Sequence, residues 1–496
     1  MKIFSATQIK NWDAFTIENE PIESQDLMER AAMACCRWIQ DHKYHQKHFL
    51  IFCGTGNNGG DGLAIARILL QSSYNVTVHI TGEKGSTDFE ANLEKLQLHG
   101  GLLPSILIPG SLPVITPEQV VIDALFGTGL NKPPEGINAE LIDHINEGTA
   151  PVISIDIPSG LFADISSTGN NIVKATHTLS FQNYKLAFLL PENDPYCGEV
   201  HLININLDKT FENEEGVMFE LAERPLIRSI CKPRKKFSHK GNYGHAALLC
   251  GRYGMMGAAV LSARSCLRSG VGKLTCYTPE CGYDTLQSTV PEAMCIVSGE
   301  KYIASADGIG VFQSVGIGPG IGKFASHAKM LRSIFTDIKK SLLIDADALN
   351  MIADNVELID LIPAGSVLTP HPGEFERLFG KTHDDFERLQ LALRKSSELK
   401  VYIVLKGQYT FISTPEGKGW FNSTGNAGMA TAGSGDVLSG FITGLLAQGY
   451  PPLQASLIGV YLHGLAGDIA AQRFSPEAMI SGDIVDCLGD AFKLIS

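Results

Sequence analysis

The most informative absences in this sequence concern ordered cysteine patterns, basic charge and long apolar runs. Its 11 cysteines are scattered, and no two of them stand in a CxxC arrangement. That distribution indicates neither a zinc site nor a disulfide framework, and it favours the reduced thiols of the cytosol. With 40 Lys and Arg against 53 Asp and Glu, the net charge is −13. The chain therefore lacks the basic footprint of a nucleic-acid-binding protein.

No uninterrupted apolar run approaches the roughly 18 residues that a membrane-spanning helix needs, and residues 1–4 lead into a polar stretch without a signal-peptide core. We therefore expect a soluble, cytoplasmic protein with no membrane partner. Its 496 residues are too many for one ordinary domain and predict two. An acidic segment at 210–216 and a basic one at 232–236 indicate a solvated junction between the halves.

A glycine-rich stretch near the C-terminus, GNAGMATAGSGDVLSG at 425–440, is the strongest local signal. It contains five glycines and leads into a helix expected from Val437. Bare backbone amides and the helix dipole at such a start favour an anion, most simply a phosphate. Asp436 beside that anion suits a base that takes the proton of a hydroxyl attacking phosphorus. A tight turn in which Asp436 only caps the helix is the structural alternative.

The first half opens with apolar spacing that predicts helix over residues 5–40, followed by a buried strand at 48–53. The strand ends in a glycine loop, Gly54–Gly62, with the next helix expected from Leu63. The loop contains GxGxxG, but the acid that a dinucleotide site needs at the end of the next strand is missing. Its polar members, Asn57, Asn58 and Asp61, instead suggest contact with both a ligand and an ion. A purely structural turn is the alternative.

Two further apolar strands, at 120–126 and 151–156, carry acids near their ends, Asp123 and Asp156. Ligands bind at the carboxyl ends of the strands in a doubly wound sheet, so these acids and the first glycine loop are expected to share one crevice. One acid could hold a cation while the other moves a proton. Helix capping is the alternative for each acid taken alone.

Strands alternate with helices again in the second half, which predicts another parallel α/β sheet. The run at 342–350 places two acids, Asp345 and Asp347, at the end of a buried strand. His371 lies between two prolines, which would fix its imidazole over a ligand, although a plain turn is the alternative. Lys406 ends a strand and suits a phosphate, although a surface lysine is the alternative.

The motifs NNGGDG, DALFGTGL and DIPSG, in this order, resemble the YjeF-type N-terminal domain of NAD(P)H-hydrate epimerases over about residues 1–222. The resemblance implies a Rossmann-like three-layer sandwich, a potassium site at Asn58, Asp123 and Ser159, and Asp156 as the proton-transferring acid/base. The ring nitrogen of the hydrate can help to expel the hydroxyl, so loss and return of water would epimerise the carbon. The substrate-binding positions that the resemblance implies are Asn57, Asn58, Gly59, Gly60, Asp61, Gly127, Thr128, Gly129, Leu130, Asn131, Lys132, Pro133 and Asp156.

GIGPG, LIDADALN, LTPHPGEF, KGQYT and GNAGMATAGSGD resemble the nucleotide-dependent NAD(P)H-hydrate dehydratases of the ribokinase-like superfamily over about residues 235–490. The resemblance implies a ribokinase-like three-layer α/β/α domain at 223–496, with Asp436 as catalytic base. Amides of Gly433, Ser434 and Gly435 would hold the transferred phosphate, and Mg²⁺ would bridge the nucleotide oxygens. The implied substrate positions are Ala258, Gly320, His371 and Asp436. The implied nucleotide positions are Lys406, Gly407, Gln408, Tyr409, Thr410 and Gly435.

Together the two resemblances imply a bifunctional repair enzyme for damaged NADH and NADPH. One half would interconvert the R and S hydrates, and the other would dehydrate the S form at the expense of ADP, giving AMP and phosphate; eukaryotic relatives use ATP. We also expect a homo-oligomer. The alternative function is a ribokinase-like vitamin-precursor kinase fused to a non-catalytic YjeF-type binding module. The length of the glycine-rich match and the presence of Asp123 and Asp156 argue against it.

Overall fold

The computed structural model describes residues 1–42, 44 and 47–495, which form two compact units. The first unit contains residues 2–217 and 384–386, and the second contains residue 1, 218–383 and 387–496. Strand Phe219–Ala222 pairs with strand Gly419–Asn422 and so belongs to the second unit, just before the boundary expected after residue 222. The assignment of one activity to each unit stays a prediction. None of the described helices is long and apolar enough to cross a membrane.

The first unit is a parallel α/β structure, as predicted. Its strands are β1 Lys2–Ile3, β2 His48–Cys53, β3 Asn75–Ile80, β4 Ser105–Ile106, β5 Gln119–Ala124, β6 Val152–Ile155, β7 His177–Phe181 and β8 Glu199–Ile203. Its helices are α1 Ala6–Asn19, α2 Ser24–Asp41, α3 Asn57–Gln71, α4 Thr87–Gly100, α5 Ile137–Glu147, α6 Asp194–Cys197 and α7 Lys209–Glu214, with 3₁₀ turns at Leu186–Leu189 and Pro191–Asn193.

Strands β2 to β8 pair in the order β4-β3-β2-β5-β6-β7-β8, and each of these pairings is parallel. Successive side chains of a strand point to opposite faces of its sheet. In β2, Phe49 and Ile51 accordingly pack with apolar residues of α2, α3 and α4. Leu50 and Phe52 pack instead with apolar residues of α5. Helices on both faces give the three-layer sandwich that the sequence predicts.

Two local predictions for this unit are wrong. The expected helix over 5–40 is interrupted, because α1 ends at Asn19 and α2 begins at Ser24. Pro21 lies in the break, and a proline cannot donate the backbone hydrogen bond that a continuous helix requires. Helix α3 begins at Asn57, six residues before the expected Leu63, so most of the glycine-rich segment is helical. Close packing explains the glycine at position 59, since a Cβ there would lie 1.8 Å from the carbonyl oxygen of Gly54.

The second unit contains strands β9 Phe219–Ala222, β10 His245–Leu249, β11 Lys273–Thr278, β12 Met294–Val297, β13 Ser314–Ile317, β14 Leu342–Ile344, β15 Val367–Leu368, β16 Tyr402–Leu405, β17 Phe411–Ser413 and β18 Gly419–Asn422. Its helices are α8 Arg224–Ile230, α9 Met256–Arg268, α10 Glu280–Thr289, α11 Ala325–Asp337, α12 Ala346–Asp354, α13 Pro372–Phe379, α14 Asp385–Leu399, α15 Ser434–Ala447, α16 Pro452–Phe474 and α17 Ser481–Ile495. Its 3₁₀ turns are Lys240–Tyr243, Ile309–Val311, Val356–Leu361 and Ala427–Met429.

These strands pair in the order β9-β18-β17-β16-β15-β14-β13-β10-β11-β12. The stretch from β16 to β12 is parallel, whereas β16, β17 and β18 form an antiparallel meander. Helices α15, α16 and α17 supply much of one large apolar cluster of this unit. Helix α15 begins at Ser434, not at Val437, so Asp436 lies inside its first turn. The predicted α/β class is confirmed, and the helix start is corrected by three residues.

Two candidate active sites

The first candidate site is a cavity of about 830 Å³ at the carboxyl ends of β2, β5, β6 and β7. Asn57, Asn58 and Asp61 reach it from the start of α3, the loop after β5 contributes residues 125–132, and Asp156 follows β6 directly. The strand-end rule therefore places Asp156 and the polar residues of the first glycine-rich segment in one crevice, whereas Asp123 is buried and does not line it.

Asp123, the predicted cation ligand, is fully buried and accepts hydrogen bonds from four donors. Its oxygens accept from the Ser159 amide at 2.9 Å, the Ser159 hydroxyl at 2.5 Å, the Ser154 hydroxyl at 2.7 Å and the Leu125 amide at 3.3 Å. Burial raises the pKa of Asp123, and these hydrogen bonds pull it back only in part. Asp123 and Ser159 thus form one bonded pair just beneath the cavity.

Asn58, the third predicted potassium ligand, lines the cavity, and both polar atoms of its buried amide have no hydrogen-bond partner among the described residues. A buried polar group without a partner is costly in a native structure. An unpaired amide oxygen at this place is the kind of donor that a hard cation or a polar ligand would satisfy. The donor set of Asn58, Asp123 and Ser159 consequently fits the potassium ion implied by the sequence.

Asp156 is held in an unusual backbone conformation by strong contacts. Its φ of +68° lies in the left-handed region, which non-glycine residues seldom occupy. Oδ1 is 2.8 Å from Nζ of Lys185, and Oδ2 accepts the amide hydrogen of Thr128 at 3.2 Å. Lys185 is fully buried and also donates to the hydroxyl of Ser180 at 2.9 Å. Strained backbone of this type concentrates at functional sites, which agrees with the predicted role of Asp156.

Two charged residues near this cavity were not singled out from the sequence: Asp13 of α1, which lines it, and Lys185, which is bonded to Asp156. Burial, together with the charge of Asp156 and against that of Lys185, raises the pKa of Asp13 to about 7. Burial and the charge of Asp156 also raise the pKa of Asp61 well above its ordinary range. Three carboxylates around one lysine cannot all ionise cheaply, so the group retains a proton near neutral pH.

Three predicted substrate positions do not line this cavity. Gly59 and Gly60 are buried within α3, where a Cβ on Gly60 would lie 2.8 Å from Sδ of Met28. Pro133 is exposed beyond the end of the lining loop. The predicted positions that do line it are Asn57, Asn58, Asp61, Gly127, Thr128, Gly129, Leu130, Asn131, Lys132 and Asp156.

The second candidate site is a cavity of about 720 Å³ at the carboxyl ends of the neighbouring strands β14, β15 and β16. Asp345, His371 and Lys406 follow these three strands, and the start of α15 lies against the same cavity. The predicted residues that line it are His371, Lys406, Gly407, Gln408, Thr410, Gly433, Ser434, Gly435 and Asp436.

Lys406 is paired with acids of its own unit. Its Nζ lies 2.9 Å from Oδ1 of Asp345 and 3.7 Å from Oε2 of Glu374. Burial lowers the pKa of Lys406, but the two carboxylates outweigh that effect and the pKa is raised. Asp345 is also bonded by the hydroxyl of Ser439. Lys406 therefore remains a positioned cation, which excludes the alternative of an ordinary surface lysine.

Asp436 lies in the first turn of α15, whose N-cap is Gly433 with a φ of +93°. A Cβ at that glycine would come within 2.4 Å of Cδ1 of Leu261, so a side chain there would be strained and would have to displace the end of Leu261. Burial and the nearby charge of Asp345 raise the pKa of Asp436 to about 6, against the opposing effect of Lys406. A carboxylate with that pKa is ionised at neutral pH and is a stronger base than an ordinary aspartate.

His371 has a structural role, and it also faces the cavity. Its Nδ1 accepts amide hydrogens from Gly373 at 3.0 Å and Glu374 at 3.2 Å, which caps helix α13. Because Nδ1 is an acceptor, the proton of the neutral ring is on Nε2.

His463 of α16 also lines this cavity and was not predicted from the sequence. Burial lowers its pKa to about 4, and its Nε2 lies 3.4 Å from the hydroxyl of Ser434.

Three predicted positions do not line the second cavity. Ala258 and Gly320 lie next to each other, since a Cβ on Gly320 would be 3.0 Å from Cβ of Ala258. Tyr409 lies between the lining residues Gln408 and Thr410 but is not itself part of the wall. The substrate role of Ala258 and Gly320 and the nucleotide role of Tyr409 stay predictions.

Comparison with known proteins assigns the chain to a family. A bifunctional NAD(P)H-hydrate repair enzyme from Moorella thermoacetica is 33% identical over 508 residues, covering 98% of this chain and 96% of that protein. The chain belongs to the bifunctional NAD(P)H-hydrate repair enzyme family. The Escherichia coli member is also 33% identical, over 93% of this chain and 88% of its own length.

Each half of the chain also matches a family separately. Residues 24–187 match the family described as YjeF-related protein N-terminus, and residues 246–489 match that described as NAD(P)H-hydrate dehydratase. The solved structure of a ribokinase-like superfamily protein from Enterococcus faecalis is similar with a TM-score of 0.51 and 27% identity, covering 57% of this chain and 98% of that chain. The predicted YjeF-type and ribokinase-like halves are thereby confirmed.

Proposed function

We propose that this chain repairs hydrated NADH and NADPH at two separate sites: the first unit epimerises the R and S hydrates, and the second dehydrates the S form. The chain belongs to the repair-enzyme family. The observation that supports the proposal is that each of its two cavities is lined by a carboxylate of raised pKa, Asp13 in the first and Asp436 in the second. Carboxylates tuned toward neutral pH are the groups that proton transfer requires.

At the second site, Asp436 accepts the proton of the substrate hydroxyl, and the hydroxyl oxygen attacks the terminal phosphorus of ADP. AMP leaves, and the hydroxyl becomes a phosphate ester. The ring nitrogen then supplies an electron pair, the C–O bond breaks, and phosphate departs as the C=C bond forms with loss of a proton. Amides at Gly433, Ser434 and Gly435 open helix α15 and are placed to hold the phosphoryl group. Mg²⁺ bound to the nucleotide would neutralise its phosphate charge.

At the first site, the C–O bond of the hydrate breaks with the help of the ring nitrogen while a carboxylic acid protonates the departing hydroxyl. Water then returns to the opposite face and gives a proton to a carboxylate, so the reaction is balanced without a co-reactant. We assign the role of the acid to Asp13, whose pKa is raised to about 7. We assign the role of the carboxylate to Asp156, which forms an ion pair with Lys185. Asn58, Asp123 and Ser159 would hold potassium next to them.

The donor nucleotide is proposed to be ADP. ATP is the second candidate, because the charges of Lys406 and of the α15 amides do not distinguish the two nucleotides. A homo-oligomer, a cytoplasmic location and the absence of nucleic-acid and membrane partners also stay predictions.

A test with separated epimers distinguishes the two halves. Purified chain is mixed with R hydrate alone, without nucleotide, and chromatography follows the appearance of S hydrate with potassium or with sodium. Potassium-dependent formation of S hydrate is expected. If R hydrate is stable in potassium while S hydrate is still dehydrated with a nucleotide, the first unit is a non-catalytic module. If neither reaction occurs and a vitamin precursor is phosphorylated, the kinase alternative is correct.

A further inference from the structure

A cluster of metal-binding side chains lies on strands β7 and β8, and neither proposed activity uses it. His177 is directly opposite Glu199 in the parallel register, and His201 is two residues further along β8. Residues two apart in a strand point to the same face, so Glu199 and His201 face the same way. One potential ligand atom from each of the three residues lies within 4.8 Å of the others.

The distances suit a small transition-metal ion. Nδ1 of His177 is 3.1 Å from Nε2 of His201, and Oε2 of Glu199 is 3.7 Å and 3.8 Å from these two nitrogens. Zinc binds histidine nitrogen and carboxylate oxygen at about 2.0–2.2 Å, which in a tetrahedron separates neighbouring ligand atoms by about 3.3 Å. The three observed separations bracket that value. Only Glu199 has to move, by a few tenths of an ångström, and its side chain is 71% exposed.

An aromatic side chain borders the two histidines. Trp38 packs beside the pair, its ring centroid 5.1 Å from that of His177 and 4.7 Å from that of His201. Among the described residues, the two histidines are therefore half-buried beside Trp38, whereas the side chain of Glu199 is exposed.

We propose that His177, His201 and Glu199 form a binding site for a divalent transition-metal ion of the zinc type, with water as the fourth ligand. The two ligating nitrogens now share one hydrogen, and binding requires only that this hydrogen occupy the other nitrogen of its ring. The ion would join β8, the last strand in the order of this sheet, to β7. Its expected effect is on the stability of the first unit and not on either reaction.

Zinc and cobalt titrations of the untagged, chelator-treated full chain test the proposal. The wild type is expected to gain one bound ion, a higher melting temperature and, with Co²⁺, the intense visible absorption of a tetrahedral complex. H201Q and H177Q should each lose this bound ion, with affinity falling by more than the roughly 10–100-fold that loss of an outer-shell partner costs. His48→Gln is the matched control, because His48 is also a half-buried histidine on this sheet, bonded across strands to Thr77 at 2.8 Å. H48Q should bind like the wild type.

The fluorescence of Trp38 gives a second readout, which reports whether the ion is bound beside this residue. Co²⁺ or Cu²⁺ bound at the cluster should quench it, and Trp38→Phe should abolish the quenching while the ion is still bound. The proposal is overturned if H201Q and H177Q bind the same number of ions with the same affinity as the wild type. It is also overturned if Co²⁺ binds without a tetrahedral spectrum or without quenching Trp38.

Discussion

Nζ of Lys185 lies 2.8 Å from Oδ1 of Asp156, and this lysine has no exposed surface. The pair lies at a position where the backbone of Asp156 has a φ of +68°. A buried ion pair is maintained only if both partners are held by further bonds, as Ser180 and Thr128 do here. Lys185 is thus a positioning residue for the acid that we assign to epimerisation.

Replacing Lys185 with Met should remove the cation that is paired with Asp156 at 2.8 Å. We expect the epimerase rate to fall by about 10²–10⁴-fold, the usual effect of losing acid–base catalysis. The free energy of unfolding should fall by about 3–5 kcal/mol, because acids stay buried without their partner. Epimer interconversion measured by chromatography checks the rate. Lys174→Met, at an exposed position of the same unit, is the control. An unchanged epimerase rate in K185M would contradict the positioning role of Lys185.

The pKa of Asp13, about 7, predicts a pH-dependent epimerase. If protonated Asp13 donates to the departing hydroxyl, the rate should decline as the pH rises above 7, and D13N should lack this limb. The folded pKa is above the ordinary value of 3.8, so the stability linked to this proton is full below about pH 4 and is lost as the pH rises to 7. D13N should therefore become more stable relative to the wild type over that interval. Rate profiles and denaturant titrations from pH 4 to 9 measure both effects, and identical profiles for D13N and the wild type would be incompatible with this role.

Asp436→Asn should separate activity from stability in the second unit. Dehydration of S hydrate is expected to fall by at least about 10²-fold, since the hydroxyl loses its base. At pH 7.5, the free energy of unfolding should rise by about 1–3 kcal/mol, because an ionised carboxylate whose pKa is raised to about 6 destabilises the fold. The wild-type dehydratase should lose activity as the pH falls below 6. Asp360→Asn, at an exposed position, is the control and should change neither quantity. If D436N loses stability as well as activity, the loss of activity would be explained by misfolding and not by the missing base.

Two glycines of α15 with similar strain test the phosphate site. Gly433 precedes the helix with a φ of +93° and lines the cavity, whereas Gly449 follows it with a φ of +81° and does not. Alanine at either position should cost about 1–3 kcal/mol of stability through backbone strain, and G433A should cost more because its Cβ would also displace the end of Leu261. Only G433A should also raise the KM for the nucleotide, because it moves the amides that bind the phosphoryl group. Steady-state kinetics and thermal unfolding of both variants provide the comparison. Equal KM values would show that these amides do not hold the nucleotide.

The strand ends were predictable because parallel strands and apolar runs carry a clear sequence pattern. Asp123, Asp156, Asp345 and Lys406 each lie at or just after a strand end, as expected. Lys185 also lies shortly after a strand, β7, so the same rule could have found it. Asp13 and His463 lie within helices, where the sequence pattern does not indicate what a polar residue faces across the fold.

Helix starts were the least predictable feature, because glycine in a sequence normally marks a turn. Both α3 and α15 begin within their glycine-rich segments, at Asn57 and Ser434. The glycines of α3 serve close packing, as the 1.8 Å approach at Gly59 shows. Whether a glycine is needed for a turn or for packing depends on neighbours that lie far away in the sequence.

The most direct test of the central claim is the near-ultraviolet absorbance of restored dihydronicotinamide. The purified chain is supplied with a mixture of R and S NADH hydrates, potassium, magnesium and either ADP or ATP. Complete recovery of NADH, with ADP as the better nucleotide, is the predicted result, because the first site converts the epimer that the second cannot use. Recovery that stops at the S fraction with both nucleotides would contradict a two-site repair enzyme.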